Sequence, residues 1–286
     1  MANMPRFAKD GNKWNPWDLE AFNIKIKRED AATFFGTDDL PMPAVDEEFL
    51  KTPQAKDMVH DNNAELLYML ETAMEFPLSG QSAVADFAVQ LLRHLGYVKR
   101  SRVACTRMDF ESFVCGQWKR TTSDVCLIDR LQHNDVRLLV QEDERFDIEH
   151  MWELEPQLIA SAIAAFELTN REREWRGEAT VDSGVCPSFP SRRARRARRA
   201  APLTVTQVIP GIILFGSRPS FFKIPVTSSL WCSVREGTYP TETTTVSMHV
   251  PILPNPSHRD RKAMKAIENR GPILRTFEAF KSVLGI

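Results

Sequence analysis

The sequence predicts one α/β domain, with a central mixed sheet flanked by helices. Three observations carry that expectation. Val84, Phe87, Ala88, Leu91, Leu92 and Leu95 recur at helical spacing. Extended runs follow at 100–115, 123–128 and 136–142. A second helical stretch, QLIASAIAAFELTN, comes after them. Helices alternating with strands in this way pack on the faces of a sheet.

Composition sets the outer bounds. A chain of 286 residues holds one large domain or two small ones, at roughly 100–200 residues each. Its 43% hydrophobic and 26% charged residues are ordinary for a globular protein and exclude a wholly disordered or fibrous chain. The net charge of −1 provides no global field for nucleic acid, membrane or acidic partners. That balance hides a tract of six arginines between Arg192 and Arg199; without them the charge falls from −1 to −7. Five cysteines stand singly, with no C-x-x-C pair. An odd, scattered set reads as reduced thiols rather than a disulfide framework. The opening MANMPRFAKDGNKWNPWDLE lacks the apolar core of a secretory signal. No run approaches the ~18 apolar residues of a membrane span. The expectation is a cytoplasmic or nuclear protein with no membrane partner.

The elements follow in order. Residues 1–53 are rich in Pro, Asp, Asn and Lys with isolated aromatics, and read as an N-terminal arm whose aromatics dock on the body. Residues 54–286 form the domain proper. A first helix covers 54–75, with Leu66, Leu67, Met69, Leu70 and Met74 on its apolar side and Pro77 ending it. Ser82 caps the second helix and Gly96 stops it. The run 100–115 forms one long strand or a hairpin. The run 123–128 forms a second strand. The run 136–142 is more continuously apolar, as a strand buried on both faces should be. His133-Asn134-Asp135 turns between these last two.

A third helix starts after Pro156 and runs to about Arg173. Residues 177–202, with Gly, Pro, Ser and the arginines, read as a disordered basic insertion. VTQVIPGIILFG and FFKIPVT form a hairpin around Ser217-Arg218-Pro219, and TETTTVSMHV is a further strand. Pro251, Pro254 and Pro256 stiffen a connector before a last helix over about 258–284.

The familiar catalytic signatures are absent: no G-x-G-x-x-G, P-loop, G-x-S-x-G or H-E-x-x-H occurs, and the six histidines share no metal-ligand spacing. Carboxylates at strand ends remain. Asp124 opens DVCLID, and Glu142 and Asp143 end VRLLVQED. If the two strands are neighbours, Asp124 and Glu142 can share one Mg²⁺, which takes oxygen ligands and keeps several waters. A metal so held activates water and stabilises charge on a phosphate. The plainer reading of the same acids is solvated turn residues.

The order helix, strand, strand with Asp, strand with an acidic triplet, helix resembles the PD-(D/E)XK (restriction-endonuclease-like) nuclease fold. SDVCLID, LLVQEDER and EPQLIASAIAAF are also similar to runs in a set of nuclease-like proteins of mushroom-forming fungi. The resemblance spans about residues 80–245. In that family an acid on the first helix, an Asp on the second strand and an E-x-K triplet on the third hold the metal. The resemblance assigns Asp124 to the strand-two acid and Glu142 to the acid of the triplet, with Mg²⁺ as the implied cofactor and nucleic acid as the implied partner. Gln157 matches a glutamine that some members use near the DNA end.

Two positions depart from the pattern. Glu144 stands where the lysine belongs, with Arg145 beside it, and Gln81 stands where the first-helix acid belongs, with Asp86 one turn on. A third carboxylate beside two others raises a carboxyl pKa or demands a cation, and it repels a phosphate. The function expected is a nuclease-like domain with a degenerate metal site, catalytically weak or inactive, that binds nucleic acid. The alternatives are an active Mg²⁺-dependent nuclease and an interaction module with no nucleic-acid role.

Overall fold

Apolar residues recur every second position in the strands and every third or fourth in the helices. The computed structural model describes residues 4–74, 83–143, 151–177, 206–254 and 263–286, and sorts those faces into a sheet between two helical layers. In chain order the elements are α1 (Pro16–Ala21), β1 (Ile24–Arg28), α2 (Ala31–Phe35), α3 (Glu47–Lys51), α4 (Asp61–Met74), α5 (Ala83–His94), β2 (Arg102–Val114), β3 (Gln117–Asp129) and β4 (Asp135–Asp143). There follow α6 (Met151–Arg176), β5 (Thr206–Phe215), β6 (Arg218–Thr227), α7 (Ser228–Glu236), β7 (Thr244–His249) and α8 (Ile267–Leu284). The seven strands lie in the order β1-β7-β6-β5-β4-β3-β2. β1 is parallel to β7 and β4 to β5, and the other neighbours are antiparallel. The class is therefore α/β, a mixed sheet flanked by helices.

Strand alternation divides the core in two. Val125, Leu127, Leu138, Val140, Ile212 and Leu214 face α4, α5 and α8. Cys126, Leu139, Ile213, Phe222 and Ile224 face α6 and α7. β4 and β5 are covered on both sides, which is why Leu138, Leu139 and Val140, and Ile212 to Phe215, run apolar without a break.

Several boundaries differ from the sequence expectation. β3 begins at Gln117, so the polar stretch Lys119 to Ser123 belongs to the strand. Cys115 (φ 46°) and Gly116 (φ 81°) make the two-residue turn that joins it to β2. Consecutive positive φ values suit the twist of a hairpin, and Cys-Gly supplies them in place of the usual Asn-Gly. The sequence reading missed α7, although both its ends carry signals. Thr227 Oγ1 accepts from the Leu230 N–H at 3.1 Å, and Gly237 (φ 68°) closes the helix. The hairpin turn docks there: the Cys115 and Gly116 N–H groups donate to the carbonyls of Val234 and Arg235, each at 2.9 Å. The first helix begins at Asp61 rather than 54, and the last at Ile267 rather than 258. The basic insertion lies outside the described residues apart from Gly177.

Residues 4–53 are built into the domain. β1 extends the sheet beyond β7. Trp14 stacks on Phe22, ring centroids 5.4 Å apart, on the α6 face. Phe34 and Phe49 are buried on the opposite face. Two cations fasten the segment. Arg270 on α8 has no exposed surface; its Nη1 donates to the carbonyls of Phe49 and Thr52 at 2.8 and 2.7 Å, and its Nε to that of Met264 at 3.2 Å. Lys223 on β6 donates to the Phe34 carbonyl and lies 4.5 Å from the Phe34 ring centroid.

Arg270→Ala is expected to leave those carbonyls dry and unpaired, at a cost of about 2–4 kcal/mol. For a chain of this size that lowers Tm by roughly 5–15 °C, measurable by scanning calorimetry.

Candidate functional site

The fork between β3 and β4 positions the sequence-predicted acids. Its register is set by a bulge: Ile128 pairs with Val136 but Leu127 pairs with Leu138, so Arg137 is one residue extra on β4. The ladder then continues to Val125 opposite Val140, where it ends. On the other side of β3, Thr106 pairs with Val125 and Met108 with Ser123, skipping Arg107 (φ 51°) and Asp124. Asp124 therefore sits at a gap in both ladders. Its carboxylate fills one of them. Oδ2 accepts from the Glu142 N–H at 2.9 Å and from Gln141 Nε2 at 2.7 Å. Ser123 Oγ donates alongside to the carbonyls of Val125 (2.9 Å) and Val140 (3.2 Å). A side-chain oxygen thus does the work of the main-chain carbonyl that the ladder lacks here.

The two acids come from adjacent strands, and their main chains meet at this fork. The side chain set beside Asp124 is nevertheless that of Gln141. Gln141 shares a rank with Leu139 toward α6, whereas Glu142 falls in the rank of Leu138 and Val140 toward α4 and α5. Gln141 is buried, and its Oε1 has no hydrogen-bond partner among the described residues. Sequence reasoning passed over this residue because glutamine is neutral and the acidic triplet next to it drew attention.

Glu144 and Gln81 lie outside the described residues. Asp86 is exposed on α5. Gln157 does not open its helix: α6 starts at Met151, so Gln157 is its seventh residue and Pro156 lies within the helix. Proline is favoured at the first helical position, where its missing N–H costs nothing, so it read as the start. Here it costs one main-chain bond near the helix end. The Gln157 carbonyl accepts from Ser161 Oγ at 2.9 Å, and Ser161 Oγ is 3.1 Å from Thr121 Oγ1, tying α6 to β3. Two residues before Gln157, burial pushes the Glu155 carboxyl up to about 7. Desolvation penalises the charged form, so this acid holds its proton near neutral pH. The helical apolar pattern around it was the available signal.

Among the described residues the fit to a cation is poor. Mg²⁺ needs several oxygen lone pairs converging from separate groups. Asp124 Oδ2 instead faces two N–H donors. Among the described residues no group of three His, Cys, Asp or Glu side chains gathers to hold a metal. The described fork braces a strand pair and accepts N–H donors. Among these residues, too, no helix is long and apolar enough to cross a membrane. No protein-family model matches the chain, and no curated protein matches it.

Asp124→Ala is expected to strand the Gln141 amide and the Glu142 N–H and to cost about 2–4 kcal/mol. Asp124→Asn keeps an acceptor oxygen and should cost less than about half as much. Urea midpoints of the two variants test the order, and equal losses would contradict it.

Glu155 gives a second expectation. Its folded value of about 7 lies above the ordinary 4.5, so the native state binds the extra proton. The stability it contributes is fully present below the unfolded value and is lost as pH rises through the folded one. The urea midpoint should fall between pH 5 and pH 8, and Glu155→Gln should flatten that slope.

Proposed function

We propose that this chain is a nuclease-like domain of the PD-(D/E)XK type whose metal site is degenerate, and that it binds nucleic acid without cutting it. The observation that carries this reading is the bonding of Asp124. It matches the family's second-strand acid, yet its Oδ2 accepts the Gln141 and Glu142 N–H donors at 2.7 and 2.9 Å. A carboxylate engaged in this way serves the backbone rather than a cation. The order of elements supports the family: α5, then β2, β3 and β4 in antiparallel array, then α6, then β5 parallel to β4.

Two sequence positions point the same way. Glu144 replaces the lysine and Gln81 the first-helix acid. Phosphodiester hydrolysis depends on charge placed for the transition state, and a carboxylate in place of an ammonium repels the phosphate it should stabilise. The six arginines from Arg192 to Arg199 supply positive charge for phosphate contacts that need no catalysis.

A cleavage assay on double-stranded DNA and single-stranded RNA with Mg²⁺ or Mn²⁺ tests the first half. The unmodified chain should leave both substrates intact, and Glu144→Lys combined with Gln81→Glu should be the shortest route to activity. Robust cleavage by the unmodified chain, lost in Asp124→Asn, would overturn the degenerate-site reading. Fluorescence anisotropy with a labelled oligonucleotide tests the second half. Log affinity should fall linearly with log salt, by about 0.7–0.9 per phosphate contact, and replacing the six arginines by alanine should flatten the slope. No binding even at low salt would favour a protein-interaction module.

A further inference from the structure

We propose that Cys105 and Cys126 are a thiol-modification site, a cross-strand pair that a glutathione-class disulfide converts reversibly to an internal disulfide. The proposal is independent of the nuclease reading. It begins from register. Cys105 on β2 and Cys126 on β3 are direct partners in the antiparallel ladder. Such partners project from the same face with Cα atoms about 4.5–5.5 Å apart, inside the roughly 4.4–6.8 Å that a disulfide spans. Both cysteines belong to the apolar layer beneath α6, and both are free thiols. One pair, Thr106 with Val125, separates the two cysteines from the ladder gap at Arg107 and Asp124, where the hairpin leaves the regular sheet.

The two thiols differ in access, which assigns them different parts. Cys105 is half-buried, whereas Cys126 has no exposed surface. Burial pushes the Cys126 thiol well up, and the neighbouring Cys105 adds to the effect. Cys126 is thus a poor first nucleophile. The Cys105 thiolate attacks one sulfur of oxidised glutathione; a new S–S bond forms and glutathione thiolate leaves. Cys126 Sγ then attacks the Cys105 sulfur of that mixed disulfide, yields its proton to the departing thiolate and releases the second glutathione. Two protein thiols and one glutathione disulfide become one protein disulfide and two glutathione thiols, so atoms and electrons balance. Cys115 lies in the hairpin turn, where its chain neighbour is Gly116, and Cys232 lies on α7; the register pairs neither with a cysteine.

The experiment uses the full chain, equilibrated in buffers of graded glutathione disulfide to glutathione ratio, quenched by alkylation and mapped by peptide mass spectrometry. A single internal link between Cys105 and Cys126, reversed by excess glutathione, is the expected result. The linked form closes the hairpin into a loop and should melt about 5–10 °C higher. In Cys126→Ala the first step has no resolving partner, so Cys105 should accumulate as the mixed disulfide with glutathione. In Cys105→Ser no internal link should form. Full alkylation of both wild-type thiols at the most oxidising ratio would overturn the proposal. So would a link from Cys105 to a different cysteine.

Discussion

The register of β3 on β4 is the constraint on which the rest of the structure rests. One extra residue, Arg137, shifts the pairing between Ile128 and Leu127. Every pair beyond that point inherits the shift. It brings Gln141 rather than Val140 to the level of Asp124, and Asp124 then holds the fork through two N–H donors. A slip of one residue would send every side chain of the strand to the opposite face. The carboxylate clasp and the two separate apolar layers enforce the same register, one by hydrogen bonding and the other by burial.

Beyond the fork the β2–β3 hairpin has no further sheet neighbour among the described residues, and a different set of contacts holds it. Thr121 meets Ser161 on α6, and the Phe113 N–H donates to Glu167 at 2.9 Å. Glu167 is paired with Arg235 of α7, and each side chain is only 4% exposed. Burial raises the Glu167 carboxyl, while the Phe113 N–H and the Arg235 cation pull the other way. Removing either partner of such a pair leaves an uncompensated buried charge. The main-chain bonds from Cys115 and Gly116 to the end of α7 complete the attachment. The same logic, cations on main-chain carbonyls, fastens residues 34–53 through Lys223 and Arg270. Polar groups with few alternative partners thus fix the peripheral segments, while apolar burial supplies the bulk of the driving force.

Periodicity made much of this fold legible. The apolar face of α5, the doubly buried β4 and the hairpin of β5 with β6 all follow from spacing alone. Several features that escaped depend on events one residue long. The positive φ values at Cys115 and Gly116 come without the Asn-Gly signature. The bulge at Arg137 has no local signal, because either residue of a bulged pair can be apolar or charged. Without it, Asp124 would face Val140. The candidate site was therefore legible as a place, the meeting of Asp124 with the end of β4, and not as a set of partners. Pro156 misled for a related reason, since its preference for a helix start does not forbid a place one turn further in. β1 escaped because IKIKR is short and largely charged, and only its pairing with β7 makes it a strand.

The role proposed for Asp124 is to brace the sheet rather than to hold a cation. Isothermal titration of the full chain with Mn²⁺, run in parallel on Asp124→Asn, addresses it most directly, because the asparagine keeps an acceptor oxygen while losing the charge a metal would need. The account predicts the same titration for both proteins, with no heat that depends on Asp124. Saturable binding of one Mn²⁺ by the unmodified chain, abolished in Asp124→Asn with the melting temperature unchanged, would contradict it.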